Sequence, residues 1–88
     1  MNCYRFVIKD RENGITATEW FLASDSLLKK DLRKIITLLY LWQRLLGCNW
    51  LVCRIYRNGE LYTDIDAIRD VNGLYIMCNL QTIRFIHI

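Results

Sequence analysis

The chain predicts an α+β domain: an antiparallel sheet of five to six strands, in the order β-β-α-β-β-β-β, with one long helix packed on one face. Three observations carry this. Asn-Gly occurs at Asn13-Gly14, Asn58-Gly59 and Asn72-Gly73, each beside apolar runs, which is how hairpins and strand entries are written. A single stretch, residues 26–46, carries apolar side chains at the helical period. The chain has no proline and no linker-like segment, so residues 1–88 read as a single domain.

The first strand covers about residues 3–9, where Tyr4, Phe6 and Ile8 alternate with Arg5, Val7 and Lys9, as a half-buried strand requires. It returns through Asn13-Gly14 into residues 15–23. Ser24, Asp25 and Ser26 then supply a helix start, with Asp25 or Ser26 placed to accept from the first free amides. The helix runs over about residues 26–46 and stops at Gly47, because a left-handed residue is what closes a helix. After it the chain meanders through strands at about residues 50–57, 60–65, 74–78 and 82–87. The interval 66–71 fits either a helical turn or a bulged edge strand.

Placed at 100° per residue, Leu28, Leu32, Ile35, Leu39, Trp42 and Leu46 share a narrow arc bordered by Ile36, and this stripe is expected to face the sheet. Lys29, Lys30, Arg33, Thr37 and Arg44 gather opposite, towards water. A membrane span is excluded, since Gln43 and Arg44 interrupt the apolar run that a span needs. Leu27, Leu38, Leu41 and Leu45 form a second strip on one flank, with Lys34 among them. Sheet edges could cover it, or it could be a partner groove or dimer seam with anchors at i, i+3 and i+7.

One helix covers one face of a sheet, so alternation also predicts the other face. With Leu51, Cys53 and Ile55 turned towards the helix, Trp50, Val52, Arg54 and Tyr56 point away. The same phase puts Leu61, Thr63, Ile65, Leu74, Ile76 and Cys78 inward, leaving Tyr62, Asp64, Tyr75 and Met77 outside. For Trp20 and Leu22 against Phe21 and Ala23 the phase stays open. The uncovered face is thus aromatic with arginines among the rings. Cross-strand packing explains such rings without a partner. Trp, Tyr and Arg are also the anchor types of protein interfaces. A stacking platform for single-stranded nucleic acid is the third reading, with Arg54, Arg57 and Arg84 near the phosphates.

Charge and composition narrow these classes. Hydrophobic residues make up 53% of the chain, more than a core of this size usually holds, which points to a partner or a second copy. The net charge is +3 with nine acids scattered among the bases, so no basic stripe marks a dedicated nucleic-acid binder. Cysteines at 3, 48, 53 and 78 show no CxxC spacing, and His87 is the sole histidine, so no metal site or cofactor is expected. The first residues alternate and carry no apolar leader, which predicts free thiols in a reducing cytoplasm. Nor do two polarised groups converge in sequence, and the four glycines leave no phosphate-cradling loop; a non-enzyme is expected.

The stretch YRFVIKDRENGITATEWFLASDSLLKKDLRKI, a hairpin feeding straight into a helix, resembles the build of the small inhibitor proteins of phages and other mobile elements, anti-CRISPR proteins included. The resemblance spans the whole chain as a style and brings no motif or site residue with it. It implies stoichiometric binding to a host protein complex, without turnover. The chain departs from the acidic charge frequent in such proteins, which turns the expectation from nucleic-acid mimicry towards occlusion of a surface. The reading is therefore a non-catalytic protein-binding inhibitor or adaptor that self-associates; the alternative is a small nucleic-acid-binding protein using its aromatic and arginine face. Candidate partner-binding or self-association residues are Trp20, Leu38, Leu41, Leu45, Trp50, Arg54, Tyr56, Arg57 and Tyr62.

Overall fold

A computed structural model of the chain describes residues 1–78 and 81–85. Its elements are β1 (Asn2–Asp10), β2 (Thr16–Ser24), α1 (Lys29–Leu46), β3 (Trp50–Arg57), β4 (Glu60–Asp70), β5 (Gly73–Cys78) and β6 (Gln81–Phe85). They form one six-stranded sheet in the order β2-β1-β3-β4-β5-β6, antiparallel at every step. The helix crosses one face, nearest to β3 and β4. The α+β class and the element order agree with the sequence. The interval left open at 66–71 is mostly the far half of β4, and His87 lies outside the described residues.

The turns follow from local chemistry. Asn58 and Gly59 both hold positive φ, 52° and 87°, the pair that a two-residue hairpin turn needs. Asn58 also ties this turn to the start of β1: its backbone amide donates to Cys3 O at 2.8 Å, and its Oδ1 accepts from the Cys3 amide at 2.9 Å. In the β1–β2 loop the buried carboxylate of Asp10 collects the amides of Glu12 and Asn13 and the Asn13 side chain. Gly47 closes α1 in the left-handed region at φ 66°, its amide donating to Gln43 O at 2.9 Å.

The helix starts later than expected. Leu28 occupies the N-cap, and its amide donates to Asp31 Oδ2 at 2.8 Å. Ser24 instead donates its hydroxyl to Ser26 O at 2.8 Å, holding the link between β2 and α1 as a local turn.

The core lies between helix and sheet. Tyr4, Phe6 and Ile8 of β1, Leu51, Cys53 and Ile55 of β3, Ile65 and Ala67 of β4 and Ile76 of β5 meet Ile35 and Leu39 of α1. Each fully buried large aliphatic side chain contributes about 1.5–3 kcal/mol by leaving water. The stripe read from the sequence faces the sheet along its middle, where Ile35 and Leu39 are buried with Gln43 beside them and Leu32, Ile36 and Trp42 pack against the core, whereas Leu28 and Leu46 at its ends are 49% and 43% exposed. End residues of a helix that only bridges the middle strands have no sheet beneath them, so their place on the wheel does not bury them.

Candidate interaction surfaces

The sequence-derived candidates fall in four separate places, so they do not form one site. Leu38, Leu41 and Leu45 stay together on one flank of α1. Leu38 is half-buried against the core, while Leu41 is 50% and Leu45 74% exposed. That flank looks towards β2, because the Lys34 ammonium on it sits 5.6 Å from the centre of the Trp20 ring. Among the described residues no strand covers Leu41 and Leu45, as their exposure shows.

Trp20 belongs with the core edge and is not a free anchor. It is half-buried on the helix side of β2 and stacks on Phe6, with ring centroids 4.9 Å apart and planes 11° from parallel. This resolves the phase left open for β2. Trp20 and Leu22 face the helix, and Phe21, 62% exposed, lies on the opposite face. Phe21 was absent from the candidates, although alternation alone put either it or Trp20 there.

Trp50, Arg54 and Tyr56 do lie on the uncovered face, all half-buried. The rings there are capped by cations of the same chain. The Arg11 guanidinium lies 4.8 Å from the Trp50 ring centre and that of Arg5 lies 5.1 Å from Tyr56. Both arginines are also matched by acids: Arg5 Nη2 meets Glu19 Oε2 at 2.8 Å and Arg11 Nη1 meets Asp66 Oδ1 at 3.8 Å. Arg54 sits in register between Val7 and Asp64. Burial pushes the Asp66 carboxyl above its ordinary value, Arg11 pulls it back, and nearby Asp64 raises it again. Val7 and Val52 on this face are 6% and 1% exposed despite having no helix above them. In the register Arg54 stands beside Val7 and Lys9 beside Val52, and long charged side chains of this kind shield apolar neighbours with their aliphatic stems.

Arg57 and Tyr62 occupy the β3–β4 hairpin end. Here the expected alternation fails. The register passes from Ile55↔Thr63 to Tyr56↔Leu61, so Tyr62 is an extra residue in a bulge, and a bulge shifts the phase of everything on one side of it. Tyr62 therefore turns to the helix side, edge-on to Tyr4 at 6.2 Å, with Arg57 stacked 4.4 Å from its ring centre. It is not part of the uncovered face.

Two of the thiols, Cys48 and Cys53, are held away from the reactive form. Burial pushes Cys53 up to about 12 and raises Cys48, with Asp10 adding to the effect; the thiolate is the reactive form. Among the described residues no group of three or more His, Cys, Asp or Glu converges as a metal site, and no helix is long and apolar enough to cross a membrane. Compared with protein-family models, curated proteins and solved structures, the chain finds no match.

Proposed function

We propose that this protein is a non-catalytic protein-binding domain, acting as a stoichiometric inhibitor or adaptor through the leucine flank of α1. The observation that carries this reading is the pair Leu41 and Leu45, 50% and 74% exposed beside half-buried Leu38. Anchors at i, i+3 and i+7 on a helix fit a partner's apolar groove. The target class rests on the resemblance to phage inhibitors: a host protein complex, bound without turnover. On the uncovered sheet face Trp50 and Tyr56 are capped by Arg11 and Arg5, which are themselves matched by acids, and this supports a protein partner over nucleic acid. A stacking platform needs free rings and unmatched cations.

The test compares capture of a bacterial lysate component by the wild type and by Leu41→Asp and Leu45→Asp, with single-stranded oligonucleotide titrations across salt. Both substitutions are expected to abolish stoichiometric capture while the far-ultraviolet circular dichroism stays native. Capture that survives both substitutions overturns the reading. So does tight oligonucleotide binding that collapses between low and moderate salt, since log affinity for phosphates falls steeply with log salt.

A further inference from the structure

The outer edge of the sheet at β2 is built to pair with another strand, and its own sequence identifies which. β2 is nine residues long and, among the described residues, pairs on one side only, with β1. Natural edge strands are blunted with proline, lysine, bulges or short length. Thr16–Ser24 has no proline or lysine, and its register with β1 shifts only at the Ile8/Lys9 end. Its single charge, Glu19, is consumed by Arg5, whose Nε and Nη2 lie 2.9 and 2.8 Å from Glu19 Oε2. From Thr18 to Ser24, past the irregularity at Ala17, the edge is therefore neutral and regular.

The backbone pattern fixes which groups it offers. The Asp10 amide donates towards β2, to Ile15 O at 2.8 Å, whereas Arg11 N and Cys3 O bond towards β3. Even residues of β1 thus pair with β2, and Trp20, Leu22 and Thr18, opposite Phe6, Tyr4 and Ile8, spend their backbone groups inward. Alternation leaves the amides and carbonyls of Glu19, Phe21 and Ala23 pointing out of the sheet.

We infer that β2 pairs antiparallel with β2 of a second copy, about a two-fold axis at Phe21, to make one continuous sheet across a dimer. In this register Phe21 meets its symmetry mate, Glu19 meets Ala23 and Trp20 meets Leu22. The exposed Phe21 rings cover each other on one face, and the half-buried Trp20 and Leu22 do so on the other. An axis at Glu19 would oppose two carboxylates. Pairing β2 with the other edge, β6, would be head-to-tail and leave free edges to grow a filament, whereas the isologous pair closes. The dimer does not depend on the leucine flank, so its test and that of the proposed function fail independently.

Sedimentation equilibrium over a concentration series should give twice the 10.6 kDa chain mass. Phe21→Lys sets two ammonium groups opposite each other, and Ala23→Pro removes an amide that no intrachain bond uses. Both should return the mass to 10.6 kDa with native circular dichroism. In a Cys3→Ser background, Phe21→Cys should cross-link under mild oxidation, because paired Cα atoms about 5.5 Å apart lie within disulfide reach. Thr18→Cys, which meets Ser24, should not. A monomeric wild type, masses that climb beyond the dimer, or cross-linking of Phe21→Cys no better than Thr18→Cys overturns the inference.

Discussion

Gln43→Met tests the energetics of the helix–sheet layer at a polar side chain that the apolar stripe conceals. Gln43 is 2% exposed. Its Nε2 donates to Asn49 O over a long 3.3 Å, and its Oε1 is buried without a hydrogen-bond partner. Asn49 O also accepts the Arg69 amide at 2.8 Å, so losing the glutamine does not strand that carbonyl. The long hydrogen bond is worth about 0.5–1 kcal/mol net, and a buried unsatisfied acceptor costs about 1–3 kcal/mol. Methionine keeps the length and the unbranched stem, so repacking costs little. The balance predicts a gain of about 1–2 kcal/mol, which in a domain of this size raises Tm by about 5–15 °C. Thermal and urea unfolding followed by circular dichroism would read it, with the urea m-value unchanged. An equal or lower Tm at constant m would refute the reasoning. It would mean that Oε1 is satisfied in solution, from the polar depression of about 360 Å3 that Gln43 lines with Arg44, Cys48, Asn49 and Arg69.

Three further outcomes follow from the same geometry. Leu39→Ala, at a fully buried position, should cost about 2–5 kcal/mol, whereas Leu45→Ala should change urea stability by less than about 0.5 kcal/mol; equal costs would place Leu45 in the core. In acid the two perturbed aspartates act in opposite senses. Asp10 is held below the ordinary 3.8 first by the Asn13 side chain, so the stability it contributes is present above that value and is lost as pH falls through its lowered one. Asp66 is raised above 3.8 by burial, so its ionisation costs stability as pH rises through its raised value. Asp66→Asn should therefore gain most above that range and Asp10→Asn should lose most above 3.8, read as Tm against pH; parallel curves would contradict both assignments. Last, with Cys78 replaced by Ser, iodoacetamide should modify exposed Cys3 first and leave Cys53, pushed up to about 12, untouched until the protein unfolds. Mass spectrometry of the folded protein would show otherwise if Cys53 opened to solvent.

The sequence made the elements legible because their causes are local. Alternation in Tyr4, Phe6 and Ile8 marked β1, the 3.6-residue period marked α1, and Gly47 and Asn58-Gly59 marked the places where the chain must take positive φ. The second apolar strip at Leu38, Leu41 and Leu45 was legible as a strip, but whether sheet edges cover it was not, and only the structure shows Leu41 and Leu45 exposed. Other features were out of reach for equally physical reasons. Alternation carries phase only until a residue is inserted, and the bulge at Tyr62 reversed it there with no sign in the residues themselves. Gln43 reads as a polar break in a stripe, and only its place above Asn49 shows it to be buried.

What the sequence determined by itself was the identity and order of the elements, because propensity, turn chemistry and periodicity act within a few residues. What only the tertiary structure decided was the use of each surface. The position of α1 over β3 and β4 leaves its leucine flank uncovered. The sheet order puts β2 on an open edge and sets Arg54 beside Val7 and Lys9 beside Val52. Those outcomes depend on which strands become neighbours, and strands distant in sequence meet only when the sheet forms.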